Sequence, residues 1–168
     1  MGNRGLDIEG KRSLKEQGLT ELFFESAEPS LDQLPLDEFL ARFPEGEYQF
    51  FGTTAEGDEI TGAATLTHNI PEGPVVVSPA EGAVLDPDNA VISWKSVNSP
   101  PGIDIVGYQV IVSREDPLRV LSLDLPATTT SVTVPPEFLE PGTEYRFEVL
   151  AIEASGNQTI TESVFETE

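Results

Sequence analysis

What most constrains this chain is its punctuation. Fourteen Gly and fourteen Pro in 168 residues break it into short apolar runs bounded by turn formers. Runs of this length, rich in Val, Ile, Thr and aromatic residues, read as strands. Seven of them follow residue 74, at 75–77, 90–94, 105–113, 120–125, 129–134, 144–153 and 159–165. Alternation is clearest in 144–153, where Tyr145, Phe147, Val149 and Ala151 fall on one face. Seven short strands at this spacing predict an all-β fold, a seven-stranded antiparallel β-sandwich over 75–168.

The first 74 residues follow other rules. Residues 1–18 hold Gly2, Gly5, Gly10 and Gly18 among charged residues, with no period, and read as an extended arm. Residues 19–26, with Phe23 and Phe24, form a loosely alternating strand. Leu36, Phe39, Leu40 and Phe43 recur at helical spacing behind Pro35, with Asp37 and Glu38 in the first turn, so a two-turn helix is expected before Pro44. Period two then returns at 47–55 and 59–68 around Glu56-Gly57-Asp58, a β-hairpin with Tyr48, Phe50 and Gly52 on one face and Ala64, Leu66 and His68 on one face of its partner. Residues 69–74 carry Pro71 and Pro74 and make a stiff connector. The small module, 19–74, has too little mass to bury its aromatics alone.

Charge limits the partners. Thirty acidic residues against nine basic ones leave a net charge of −21, shared evenly: 15 acids and 5 bases in 1–74, 15 acids and 4 bases in 75–168. Such a surface repels phosphate backbones and anionic lipid, so no nucleic acid and no membrane insertion are expected. No apolar run approaches the length of a membrane span.

Chemistry-bearing residues are sparse. There is no Cys and one His, His68, at a strand end, so no Ser-His-Asp or Cys-His arrangement is in sight. No Gly-rich phosphate loop is present, since Pro101-Gly102-Ile103-Asp104 is a turn. Asp86, Asp88 and Asn89, and Glu56, Asp58 and Glu59, lack the spacing of a calcium loop and read as turn formers. Asn157-Gln158-Thr159 has the form of a glycosylation sequon but lies where a hairpin must turn. No catalytic, cofactor or metal residue is assigned, and no enzyme activity is expected.

One set of residues carries a family resemblance. Trp94 ends the second run after the connector, Tyr108 sits in the third, and Leu139-Glu140-Pro141-Gly142-Thr143-Glu144-Tyr145 leads into the sixth. This pattern resembles the fibronectin type III domain, which implies a core filled by Trp94 and Tyr108 and a tyrosine corner built from Leu139, Pro141 and Tyr145. Leu22 to Pro29, Phe39 to Gly46 and Ala64 to His68 resemble the segment preceding such a domain in uncharacterised secreted bacterial proteins. That likeness implies an extracellular or cell-surface setting, although this chain carries no signal peptide at its start.

Phase adds a surface. If Tyr108, Val110, Tyr145 and Phe147 point inward, then Ile111, Leu150 and Ile152 point outward on neighbouring strands, an apolar patch that a lone domain usually avoids. It is the expected docking surface, either for residues 19–70 with Phe39, Phe43, Tyr48 and Phe50, or for a neighbouring copy. The reading that follows is a non-enzymatic extracellular structural or protein-interaction protein. It binds a protein partner or copies of itself, with a homo-oligomer as one form. Two alternatives stand beside it: a self-assembling filament subunit using strand addition, and an accessory polysaccharide-binding module from a larger protein.

Overall fold

A computed structural model of the chain describes residues 32–54, 56–98 and 100–168. The arm expected at 1–18 and the strand expected at 19–26 lie outside the described residues. The chain divides into two compact units, Met1–Thr67 and His68–Glu168.

In the first unit, helix α1 spans Leu36–Arg42. Pro35 caps it in an extended conformation (ψ 147°), and Asp37 and Glu38 occupy the first turn, where carboxylates complement the helix dipole. The Phe39 and Phe43 rings lie 5.1 Å apart on the expected face. Strands β1 (Gly46–Thr53) and β2 (Glu59–Leu66) pair antiparallel in an unbroken register from Gly46↔Leu66 to Thr53↔Glu59. Gly57 turns the chain with a φ of +96°, which favours glycine, and the Asp58 amide donates to Thr54 Oγ1 (3.1 Å). The register sets Tyr48, Phe50 and Gly52 opposite Ala64, Gly62 and Ile60, and Gly46 opposite Leu66; β2 ends at Leu66, so His68, expected on the same face, lies outside the strand. A Cβ at Gly52 would lie 3.0 Å from Ile60 Cγ1, so a larger residue there would require the exposed Ile60 side chain to shift.

Within this unit Phe39 and Tyr48 are half-buried, and further aromatics stay exposed. Phe43 is 47% exposed and Phe50 59%, and Phe51 on the opposite face is 74% exposed. The physical reason is local: a two-stranded sheet has no third strand among the described residues, and one pair of strands cannot cover its own side chains.

The second unit is the sandwich. One sheet holds β3 (Val75–Ser78), β5 (Val91–Lys95) and β8 (Ser131–Thr133), in the order β3-β5-β8. The other holds β4 (Ala83–Leu85), β10 (Gln158–Thr167), β9 (Glu144–Glu153), β6 (Ile105–Arg114) and β7 (Arg119–Pro126), in that order. All seven expected runs are present. The structure adds β4, which sequence reading left unassigned. The chain leaves β3 at the cis Ser78–Pro79 bond, turns at Gly82 (φ +70°), and pairs parallel with β10 through Ala83↔Phe165 to Leu85↔Thr167. The consecutive strands β3 and β4 thereby lie in different sheets.

Between the sheets lies a core of Ile92, Trp94, Tyr108, Val110, Val112, Val134, Tyr145, Phe147, Val149 and Phe165. Phe165 stacks on Tyr145 (5.4 Å, 18°) and meets Phe147 at 6.0 Å. Offset ring pairs of this kind add to simple area burial. The connector at 69–74 belongs to this unit and is fastened to its edge. Thr159 Oγ1 donates to the Pro71 carbonyl (2.6 Å), Asn157 Nδ2 donates to the Asn69 carbonyl (3.3 Å), and Pro71 and Pro74 are buried. The sequon residues are thus occupied in holding the chain's entry into the sandwich.

Candidate interaction surface

Trp94 ends β5 and is 3% exposed, with its ring 5.4 Å from that of Tyr108 on β6. The Tyr108 hydroxyl accepts the Val97 amide (2.8 Å), tying the segment that follows β5 to the opposite sheet. Leu139 is 7% exposed and Tyr145 fully buried, while Pro141 is exposed at the bend. The Tyr145 hydroxyl accepts the Glu140 amide (2.8 Å) and lies 3.5 Å from the Phe138 carbonyl. A buried phenol thereby satisfies the backbone of the loop that precedes its own strand. This is the corner that the family resemblance implies for Leu139 to Tyr145.

Family models decide the matter. The fibronectin type III domain matches residues 79–167, more than half of the chain. The chain belongs to the fibronectin type III family. Among solved structures, it is similar to the fibronectin type III domain of the human collagen alpha-1(XX) chain, at 25% identity over 58% of this chain and 82% of that one, with a TM-score of 0.42. It is also similar to an Fn3-like protein from Clostridium thermocellum, at 24% identity over 58% of this chain and 94% of that one (TM-score 0.40). A third similarity is to the alpha-L-rhamnosidase of Dictyoglumus thermophilum, at 22% identity over 59% of this chain and 12% of that one (TM-score 0.46). The fold class is therefore the all-β fibronectin type III sandwich with a small helix ahead of it. Fibronectin type III domains serve as protein-interaction or structural modules.

The outward face of the larger sheet is set by its register. Ile111 stands opposite Glu148, Leu150 stands between Gln109 and Ile160, and Ile152 stands opposite Gln158. All three sequence-predicted residues are on this face, on adjacent strands. They differ in exposure: Ile111 and Ile152 are half-buried, but Leu150 is only 5% exposed, in the middle strand with a side chain on each side. The structure adds Ile160, 52% exposed beside Leu150, and Val106, 53% exposed at the irregularity between Ile105 and Gly107. Gln109 donates to Asp124 Oδ1 (2.9 Å) and closes the polar border.

Two polar devices escaped sequence reading. Arg114, at the end of β6 and 8% exposed, makes a two-pronged ion pair with Glu140, its Nη2 donating to Oε1 at 2.8 Å. Arg119 on β7 adds a bond to the same carboxylate (3.2 Å) and lies 5.0 Å over the Phe138 ring. The Arg114 guanidinium holds the Glu140 carboxyl below the usual carboxylate range, and Glu140 in turn raises Arg114. This cluster joins the β6–β7 hairpin to the tyrosine corner.

Glu153, 2% exposed at the end of β9, is the second device. Burial pushes its carboxyl up, but bonds from the Ser155 hydroxyl and from the Ser155 and Asn157 amides outweigh that and leave it lowered. Its role is to shape the β9–β10 turn.

The acidic turn before β5 is also internally engaged. Asp86 accepts the Asp88 amide (3.0 Å) and Asn89 Nδ2 (2.8 Å), which together lower its carboxyl. Among the described residues no group of three or more His, Asp or Glu side chains is placed to hold a metal ion. Shallow hollows occur beside Val75, Lys95 and Val97 (about 250 Å³) and beside Phe51 on the hairpin.

Proposed function

We propose that this chain is an extracellular structural or protein-interaction protein that works through the outer face of its larger sheet. The observation that carries the proposal is the apolar row Ile111, Leu150, Ile152 and Ile160, bordered by Gln109, Glu148 and Asp124, on the face that the core does not use. Apolar side chains ringed by polar ones are the usual composition of a protein-binding face. An acidic surface repels anionic polymers and lipid headgroups, which favours a protein partner, whether another chain or a further copy. The likeness of the front segment to that of secreted bacterial proteins supports the extracellular setting.

The test is site-directed photocrosslinking of the full chain in the cells that make it. A photoreactive residue at Ile160 or Ile111 is expected to give a discrete protein adduct in the extracellular or surface fraction. The same residue at exposed Glu115, at the far end of β6, is expected to give none. No adduct at either sheet position above that at Glu115, or a chain confined to the cytoplasm, would overturn the reading. An adduct of twice the chain's mass would make the partner a second copy.

A further inference from the structure

The hairpin carries a second surface, in the other unit, whose chemistry is more specific. On one face of β1–β2 stand Glu47, Gln49, Phe51 and Thr53, opposite Thr65, Ala63, Thr61 and Glu59. Phe51 is 74% exposed, the most exposed of the large apolar side chains described. A hollow opens beside it over Gln49, Thr61, Gly62 and Ala63, where the neighbouring side chains are small. Glu59 lies two residues from Thr61, the cross-strand partner of Phe51, so ring and carboxylate are diagonal neighbours, about 7–8 Å apart between backbones. Glu47 stands at the other end of the same face. Residues 44–67 contain Glu45, Glu47, Glu56, Asp58 and Glu59 and no Lys, Arg or His.

An aromatic face with carboxylates at one side chain's reach suits a group that is apolar along its stem and cationic at its tip. Arginine and lysine are such groups, since a guanidinium or ammonium is attracted to a ring face and pairs with a carboxylate. A second copy of this chain is a poor occupant, because this face and the chain as a whole carry the same sign of charge. We infer that the Phe51 face of the β1–β2 hairpin docks a basic polypeptide segment, an Arg or Lys stem lying across Phe51 with its charged end on Glu59. The open edges of β1 and β2 among the described residues leave room for such a segment to lie extended along the sheet. This inference stands or falls apart from the sheet-face reading above, since it concerns different residues and a different unit.

The experiment uses the full chain and a labelled peptide of alternating Arg and Ser, followed by anisotropy and by amide shifts. A peptide of alternating Glu and Ser serves as the sign control. Saturable binding of the Arg peptide is expected, with shifts concentrated in 46–66. Phe51→Ser is expected to weaken it about tenfold, the factor that corresponds to about 1.4 kcal/mol of lost ring–cation attraction. Glu59→Gln should weaken it several-fold and flatten its salt dependence, whereas Glu162→Gln, an exposed change on β10, should leave it unaltered. Phe51→Leu guards against loss of the hairpin itself: it keeps an apolar side chain, so binding that matches wild type would refute the ring's role. Equal losses from Glu59→Gln and Glu162→Gln would show diffuse attraction to an acidic protein and overturn the site. So would shifts spread over the sandwich, or a concentration-dependent dimer that protects the hairpin amides.

Discussion

Phe147 and Phe50 occupy the same kind of place in the sequence, an aromatic in an alternating strand, and have opposite fates. Phe147 on β9 is fully buried, whereas Phe50 on β1 is 59% exposed. The strands themselves do not differ in kind; what lies over them does. Phe147 belongs to a core closed by a second sheet carrying Ile92 and Trp94, while β1 and β2 form a sheet of two with no further strand among the described residues. Alternation creates an apolar face, but only a second layer converts it into core. Among the described residues Leu34 is the one buried apolar side chain outside the sandwich. The sandwich is thus a finished fold, and the hairpin is a surface.

That contrast predicts a ranking of substitutions. Trp94→Ala, which empties the centre of the sandwich, should cost about 3–5 kcal/mol in denaturant unfolding. A cost below about 1 kcal/mol would mean that Trp94 is not enclosed as described. Tyr145→Phe keeps the ring and deletes the hydroxyl that accepts the Glu140 amide, so about 1–2 kcal/mol should be lost. An unchanged midpoint would remove the corner from the account.

Glu140→Gln should cost less, because the carboxylate is half exposed. Its signature is the pH dependence. The Glu140 carboxyl is held below its ordinary value, so its contribution is present above about pH 4.3 and fades as pH falls through the lower folded value. Thermal unfolding of the wild type should therefore lose ground on the variant as acid is added. Parallel curves would show that the Arg114 pair contributes nothing to folding. Smallest of all, Phe50→Ser should shift the sandwich's unfolding by no more than about 0.5 kcal/mol. A loss like that of Trp94→Ala would erase the distinction between the two regions.

These features were unequally visible in the residues themselves. Trp94 and Tyr108 could be placed through the family resemblance, and Tyr145 also through the alternation that follows the Pro141-Gly142 turn. The existence of the hairpin and the place of its turn were legible through Gly57 and the flanking alternation, but its register was not. Strand β4 was not, since three residues between turns become a strand only by pairing with β10, far along the chain. The Arg114–Glu140 pair joins positions 26 apart, and Asn157 and Thr159 reach carbonyls 88 residues back, distances that no local pattern encodes. Ile111, Leu150 and Ile152 could be assigned a face by phase, but not a degree of exposure. Phase says which way a side chain points, and Leu150 shows that pointing outward is compatible with being covered.

Amide hydrogen exchange on the full chain tests the contrast most directly, because protection reports the free energy of opening each element. Amides of β6, β9 and β10 should exchange only by unfolding of the whole sandwich, while those of β1 and β2 should exchange orders of magnitude faster through local opening. Protection in β1 and β2 equal to that in β9 would contradict the account, since the hairpin would then belong to a closed core.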